Sequence, residues 1–115
     1  MATLFILNDP PYGTERSYNG LRLASSLLKI GEGVSVFLIG DAAACAKSGQ
    51  RVPPGYYNIE VMLHAVHRAG GAIGVCGSCM DARGISDENL ISGAHRSSME
   101  ELAQWTTQAE KALVF

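Results

Sequence analysis

The run Thr3-Leu4-Phe5-Ile6-Leu7 has no polar side chain at alternate positions. A strand with one wet face alternates, so an unbroken apolar run of this length calls for cover on both faces, as in a parallel sheet. Residues 34–39 and 72–75 are read as the second and third strands, and residues 112–115 as the last. Between them lie stretches of helical period. Tyr18, Leu21, Ala24, Ser25, Leu27 and Leu28 recur at three- and four-residue spacings, with Thr14 as the expected cap and Glu15 beside the helix dipole. Asn58 is placed to cap a second helix, running to Ala69 with Ile59, Met62, Leu63 and Val66 inward. Strands alternating with helices predict an α/β fold with a mainly parallel sheet of about five strands.

Several smaller assignments complete the chain. Residues 42–47 are expected to form a short helix carrying Cys45, and residues 48–57 a surface loop. Leu90-Ile91 is read as the start of a short fourth strand. Ser97 to Glu101 holds two overlapping capping boxes that predict the start of a final helix with Met99, Leu102, Ala103, Thr106 and Ala109 on one face. The 115 residues suit a single domain spanning 1–115 with one core. Only 17% of residues are charged, so part of the surface is expected to be covered by another copy. Tyr56, Tyr57 and Trp105 lie off the expected core stripes and are assigned to that interface.

A net charge of −2 argues against nucleic acid as a partner, and no apolar run reaches the ~18 residues of a membrane span. Three cysteines without a basic, apolar leader read as reactive or metal-binding thiols, and the cytoplasm is the expected compartment.

The chemistry gathers where the third strand ends, in Val75-Cys76-Gly77-Ser78-Cys79-Met80-Asp81-Ala82-Arg83-Gly84. Ligands collect at the carboxyl ends of strands in such sheets. There the backbone N–H groups after Gly77 favour a Cys76 thiolate, and Arg83 offers positive charge. Cys79 is spaced to resolve an oxidised or persulfidated Cys76, or to point away from it. Asp81 is expected to cap a turn or take a proton, and Arg83 to hold an anionic substrate or a sulfur species, or to pair with Asp81, Asp87 or a neighbouring subunit. Tyr12-Gly13 and Asp41 end two other strands at the same edge and are candidate substrate contacts, with a capping role open for Asp41. Beyond Cys76 and Cys79, the neutral metal ligands are Cys45, His64, His67 and His95, none at zinc-finger spacing, so no metal is expected. His64 and His67 are placed on the face opposite the apolar stripe, and Cys45 is read as packed. No nucleotide motif is present and no cofactor is expected.

Pro11-Tyr12-Gly13-Thr14 after the first strand, Cys76, Arg83-Gly84, Asp87-Glu88 and the Val114-Phe115 ending resemble the DsrE/DsrF-like family of sulfur-relay proteins. The resemblance covers nearly the whole chain. It implies a flavodoxin-like three-layer sandwich that assembles into trimers or hexamers, with a strand-end cysteine carrying persulfide sulfur between donor and acceptor proteins. The carrier cysteine maps to Cys76, which keeps the family's six-residue spacing to Arg83-Gly84. Cys79 belongs to another subgroup pattern, Cys-Gly-x-Cys-x-Asp-Ala-Arg-Gly. Three functions follow: sulfur transfer through Cys76, a non-catalytic oligomeric binding module, or a thiol–disulfide oxidoreductase using Cys76 and Cys79.

Overall fold

A computed structural model describes residues 2–115. Five strands form one sheet: β1 (Ala2–Leu7), β2 (Gly33–Leu38), β3 (Ala72–Cys76), β4 (Ala94–Ser97) and β5 (Lys111–Val114). Their order is β4-β3-β2-β1-β5, and every pairing is parallel. Four α-helices accompany them: α1 (Arg16–Lys29), α2 (Ile59–Arg68), α3 (Gly77–Ala82) and α4 (Met99–Gln108). The expected α/β sandwich is therefore present, and its sheet is wholly parallel.

The two sheet faces are covered unequally. On one, Phe5, Leu7, Val34, Val36, Leu38, Ile73 and Val75 pack with Leu21, Ala24, Ile59, Leu63 and Val66 of α1 and α2. On the other, Leu4, Phe37 and Cys76 meet Leu102 of α4, with Trp105 and Ala109 half-buried beside them. Side chains alternate across the pleat, so Val75 joins the larger core while Cys76 faces the α4 side.

The inward stripe of α4 is Leu102, Trp105 and Ala109; Met99, Ala103 and Thr106 are exposed. Trp105 thus lies on the inward stripe, half-buried against the core. Gly74 in β3 makes the room: a Cβ there would stand 3.1 Å from the indole and 3.2 Å from the Ser97 Cβ. The indole meets the Phe37 ring edge-on at 6.3 Å between centroids. Tyr57 is half-buried, stacking on Tyr18 at 4.3 Å and tilting against Tyr12 at 5.7 Å. Tyr56 stays exposed.

Several local expectations are corrected. Thr14 does not cap α1; its hydroxyl donates to Asp9 Oδ2 at 2.7 Å, and Glu15 occupies the cap position without a side-chain bond. Residues 40–46 form a 3₁₀ helix rather than a helix over 42–47. Leu90 makes only an isolated antiparallel bridge to Lys47, and the fourth strand is Ala94–Ser97. That strand is at the edge and carries exposed His95 and Arg96, so it lacks the apolar pattern that reveals a buried strand. The other two caps stand as expected: Asn58 accepts from the Val61 N–H, and Ser98 accepts from the Glu101 N–H. No described helix is long and apolar enough to cross a membrane.

Candidate functional site

Because β1, β2 and β3 run parallel, their following loops meet at one edge of the sheet. Cys76 is the last residue of β3 and the N-cap of α3, with φ −56° and ψ 117°. The strand therefore holds its backbone while its side chain stands at the mouth of the first helical turn. Its sulfur lies 3.4 Å from the Ser78 hydroxyl and is 7% exposed as a residue. Burial pushes its thiol up. Hydrogen bonds from the Cys79 thiol, the Ser78 hydroxyl and the backbone N–H groups of Cys79 and Ser78 outweigh that burial and hold it below the ordinary cysteine value.

Cys79 does not point away. Its sulfur accepts the Gly40 N–H at 3.2 Å, so it reaches back to the end of β2. Gly40 has φ +59°, a turn that glycine adopts without strain and that aims its N–H at the sulfur. The Cys79 thiol is raised, first by burial and then by donating to Cys76 and by the negative charge on that sulfur; the Gly40 N–H and Arg83 oppose the rise. The two thiols titrate as a linked pair, with Cys76 the one lowered and Cys79 the one raised.

Arg83 serves the second cysteine rather than the first. Its Nη1 donates to the Cys79 carbonyl at 3.0 Å, and its Nη2 and Nε donate to Asp41 Oδ1 at 2.7 and 3.1 Å. Asp41 is thus neither a cap nor an unpaired acceptor, and Arg83 pairs with it in place of Asp81 or Asp87. Both of those carboxylates go to Arg96, which holds Asp81 at 3.1 Å and Asp87 at 2.7 Å. Asp81 therefore caps no turn. Asp81, Asp87 and Arg96, with Gly84, Ile85, Ser86 and Glu88, line an open groove of about 460 Å³.

Tyr12 and Gly13 stand apart from the cysteines in their contacts. The Tyr12 hydroxyl donates to Gln50 Oε1 at 2.7 Å and accepts the Ile59 N–H at 3.1 Å, tying the first loop to the start of α2. Gly13 turns the chain at φ +102° with open space where a Cβ would stand. Cys45 is fully buried, and burial pushes its thiol up to about 12; a bond with Ser17 opposes the rise and the Asp9 charge adds to it. It is packed, as expected. His64 pairs with Glu60 at 3.7 Å. No group of three or more metal-ligating side chains that could hold an ion is found among the described residues.

Two residues without an assigned role in the sequence join the site. Ser78 sits inside the Cys-Gly-Ser-Cys motif, where its hydroxyl is a legible donor. Arg96 has no such signal, since the sequence pattern begins the fourth strand at Leu90-Ile91 and not at Ala94.

The pattern of the DsrE/DsrF-like family matches residues 1–115. YchN of Escherichia coli strain K12 is 38% identical over 114 residues, covering 97% of each chain. The uncharacterized protein MK0008 of Methanopyrus kandleri is 34% identical over 110 residues, 96% of this chain and 90% of that one. The crystal structure of E. coli YchN covers the whole of both chains with a TM-score of 0.91 at 37% identity. A protein of unknown function from Methanobacterium thermoautotrophicum, MTH1491, shares the fold at a TM-score of 0.72 and 12% identity, over 99% of this chain and 98% of that one. With a match over its full length and relatives above one-third identity, this chain belongs to the DsrE/DsrF-like family.

Proposed function

We propose that the protein is a sulfur carrier whose acceptor is the Cys76 thiolate. The observation that supports this reading is the placement of Cys76 where β3 ends and α3 begins, its sulfur 3.4 Å from the Ser78 hydroxyl and its thiol held below the ordinary cysteine value. A thiolate is the form that attacks a sulfur–sulfur bond. Loading is an exchange. Cys76 attacks the terminal sulfur of a donor persulfide, a new sulfur–sulfur bond forms, and the donor thiolate leaves. Unloading repeats the step with an acceptor thiolate attacking the outer sulfur and Cys76 departing. The reaction needs neither metal nor organic cofactor.

The mutual influence of the Cys76 and Cys79 thiols also favours a second reading, thiol–disulfide exchange. After losing its proton, Cys79 can attack a mixed disulfide at Cys76, closing a Cys76–Cys79 disulfide and expelling the partner's thiolate. Intact mass after treatment with a persulfide donor separates the readings. Sulfur carriage predicts gain of one sulfur by wild type and Cys79→Ser and none by Cys76→Ser. Loss of two hydrogens without retained sulfur points to the exchange reading, and no change in any variant to a binding module.

The carrier is also proposed to work as a homo-oligomer, a trimer or hexamer. Met99, Val114 and Ile30 are large apolar side chains left 63%, 67% and 75% exposed, consistent with a further covered surface. Light-scattering mass at micromolar concentration is expected to give three or six chains, and a clean monomer would remove this part of the reading.

A further inference from the structure

Cys79 is held at both ends, and the two holds are joined. Its sulfur accepts the Gly40 N–H at 3.2 Å, and its carbonyl accepts Arg83 Nη1 at 3.0 Å. Arg83 Nη2 and Nε in turn donate to Asp41 Oδ1 at 2.7 and 3.1 Å, and Asp41 follows Gly40 in the chain. The contacts therefore close a ring that runs from Gly40 through Asp41, Arg83 and Cys79 back to Gly40. It ties the 3₁₀ helix after β2 to the helix α3 after β3. Gly40 is the first residue of that 3₁₀ helix, where N–H groups lack a helical partner, and its N–H ends on the sulfur. A Cβ on Gly40 would meet nothing closer than the Asn8 carbonyl oxygen at 3.8 Å, so glycine stands there for its φ of +59° and not for want of room.

We propose that Asp41 and Arg83 are positioning residues for Cys79: their ion pair closes the ring that keeps the Gly40 N–H on the Cys79 sulfur. A neutral thiol is a weak acceptor, whereas an ionised one takes an N–H bond strongly. An N–H fixed on this sulfur therefore favours the Cys79 thiolate, the form that attacks a mixed disulfide at Cys76. Arg83 suits the task by its shape. Its planar fork holds the carbonyl and the carboxylate together, with three nitrogens engaged, as a lysine amine does not. The side chains of the pair are 34% and 64% exposed, and an ion pair so placed contributes little to overall stability. What it fixes is the local course of the chain around one sulfur.

The titratable and charged groups around Cys79 are Cys76 and Arg83 from its own segment and Asp41 from the β2 side. Asp81 of α3 is turned to Arg96. At Asp41, charge and position act in opposite senses. As a negative charge beside the sulfur, Asp41 disfavours the thiolate, so on charge alone its removal raises the Cys79 thiolate fraction. As the anchor of the ring, its removal lowers that fraction. The sign of the change separates the two.

This inference rests on the reading of the cysteine pair as the reactive site, but its test reads the ionisation of Cys79, not sulfur transfer. Cys76 lies outside the ring, so the test uses a Cys76→Ser background in which Cys79 is the reactive thiol. Its iodoacetamide rate is followed against pH by peptide mapping, in that parent and with Asp41→Ala or Arg83→Lys added, folding being confirmed by circular dichroism. Losing one hydrogen bond is expected to lower the Cys79 thiolate fraction at neutral pH roughly fivefold in Asp41→Ala. Arg83→Lys keeps the charge and loses the fork, and is expected to shift in the same direction. A role in stability alone would lower the melting temperature and leave the titration where it was. A folded Asp41→Ala variant with an unchanged or higher thiolate fraction overturns the proposal. Should that variant not fold, Arg83→Lys decides, and an unshifted titration there overturns it equally. Failure of the carrier reading would look different, as a wild type that takes up no sulfur from a persulfide donor whatever the Cys79 titration shows.

Discussion

Iodoacetamide at neutral pH is expected to modify the folded protein first at Cys76, then at Cys79, and not measurably at Cys45. The order follows from ionisation. Cys76 is held below the ordinary thiol value by its polar neighbours Cys79 and Ser78, whereas Cys79 is raised by burial and by the neighbouring Cys76. A lower thiol pKa costs intrinsic nucleophilicity. Each tenfold gain in thiolate loses roughly threefold in reactivity per thiolate, so the net advantage survives. Cys45, with its thiol at about 12, has a thiolate fraction of roughly 10⁻⁵ at pH 7 and no exposed surface. Access works against ionisation, because Cys79 is the more exposed of the reactive pair. Peptide mapping should therefore be done on the native assembly and again in denaturant mild enough to separate subunits while the fold persists. Cys79 reacting first under both conditions would remove Cys76 as the nucleophile.

Cys45 carries the second large effect, on stability at high pH. Its folded thiol is raised from 9.0 to about 12, so folding favours the neutral form. A group with a raised folded pKa contributes its full stability below the unfolded pKa and loses it as pH rises through the folded one. The window here runs from about pH 9 to about pH 12. The whole contribution is about 4 kcal/mol, of which about 2.7 kcal/mol is gone by pH 11. Tyrosines and lysines titrate in the same range, and comparison with Cys45→Ala cancels them. That variant leaves a small cavity, a loss of about 1 kcal/mol at neutral pH. Urea unfolding should show wild type ahead at pH 7 and behind at pH 11. An unchanged difference between the two proteins across that range would mean that Cys45 is not held as a buried thiol.

These expectations divide by how much of their basis is visible in one dimension. An unbroken apolar run can be satisfied only where helices cover both faces of a strand, so Thr3-Leu4-Phe5-Ile6-Leu7 announces the parallel sheet on its own. Side-chain caps are equally local: Asn58 and Ser98 each bond an N–H three residues on, within reach of the sequence pattern itself. The position of Cys76 at a strand end is legible for the same reason, since apolar residues stop and polar ones begin there. Its neighbours in space are another matter. Arg83 meets Asp41 42 residues away, and Gly40 meets Cys79 across 39. Both contacts exist only because β2 and β3 lie side by side. Trp105 packs against the sheet only because Gly74 leaves a gap beneath it. Arg96 reaches the cysteine loop from an edge strand whose wet face erases the hydrophobic period, and edge strands are formed by their neighbours more than by their own residues. Local pattern thus sets the buried strands and the capped helices, and places Cys76 at a strand end. Non-local pairing selects which charges, N–H groups and rings surround the cysteine pair, because contacts between distant segments depend on how the chain closes.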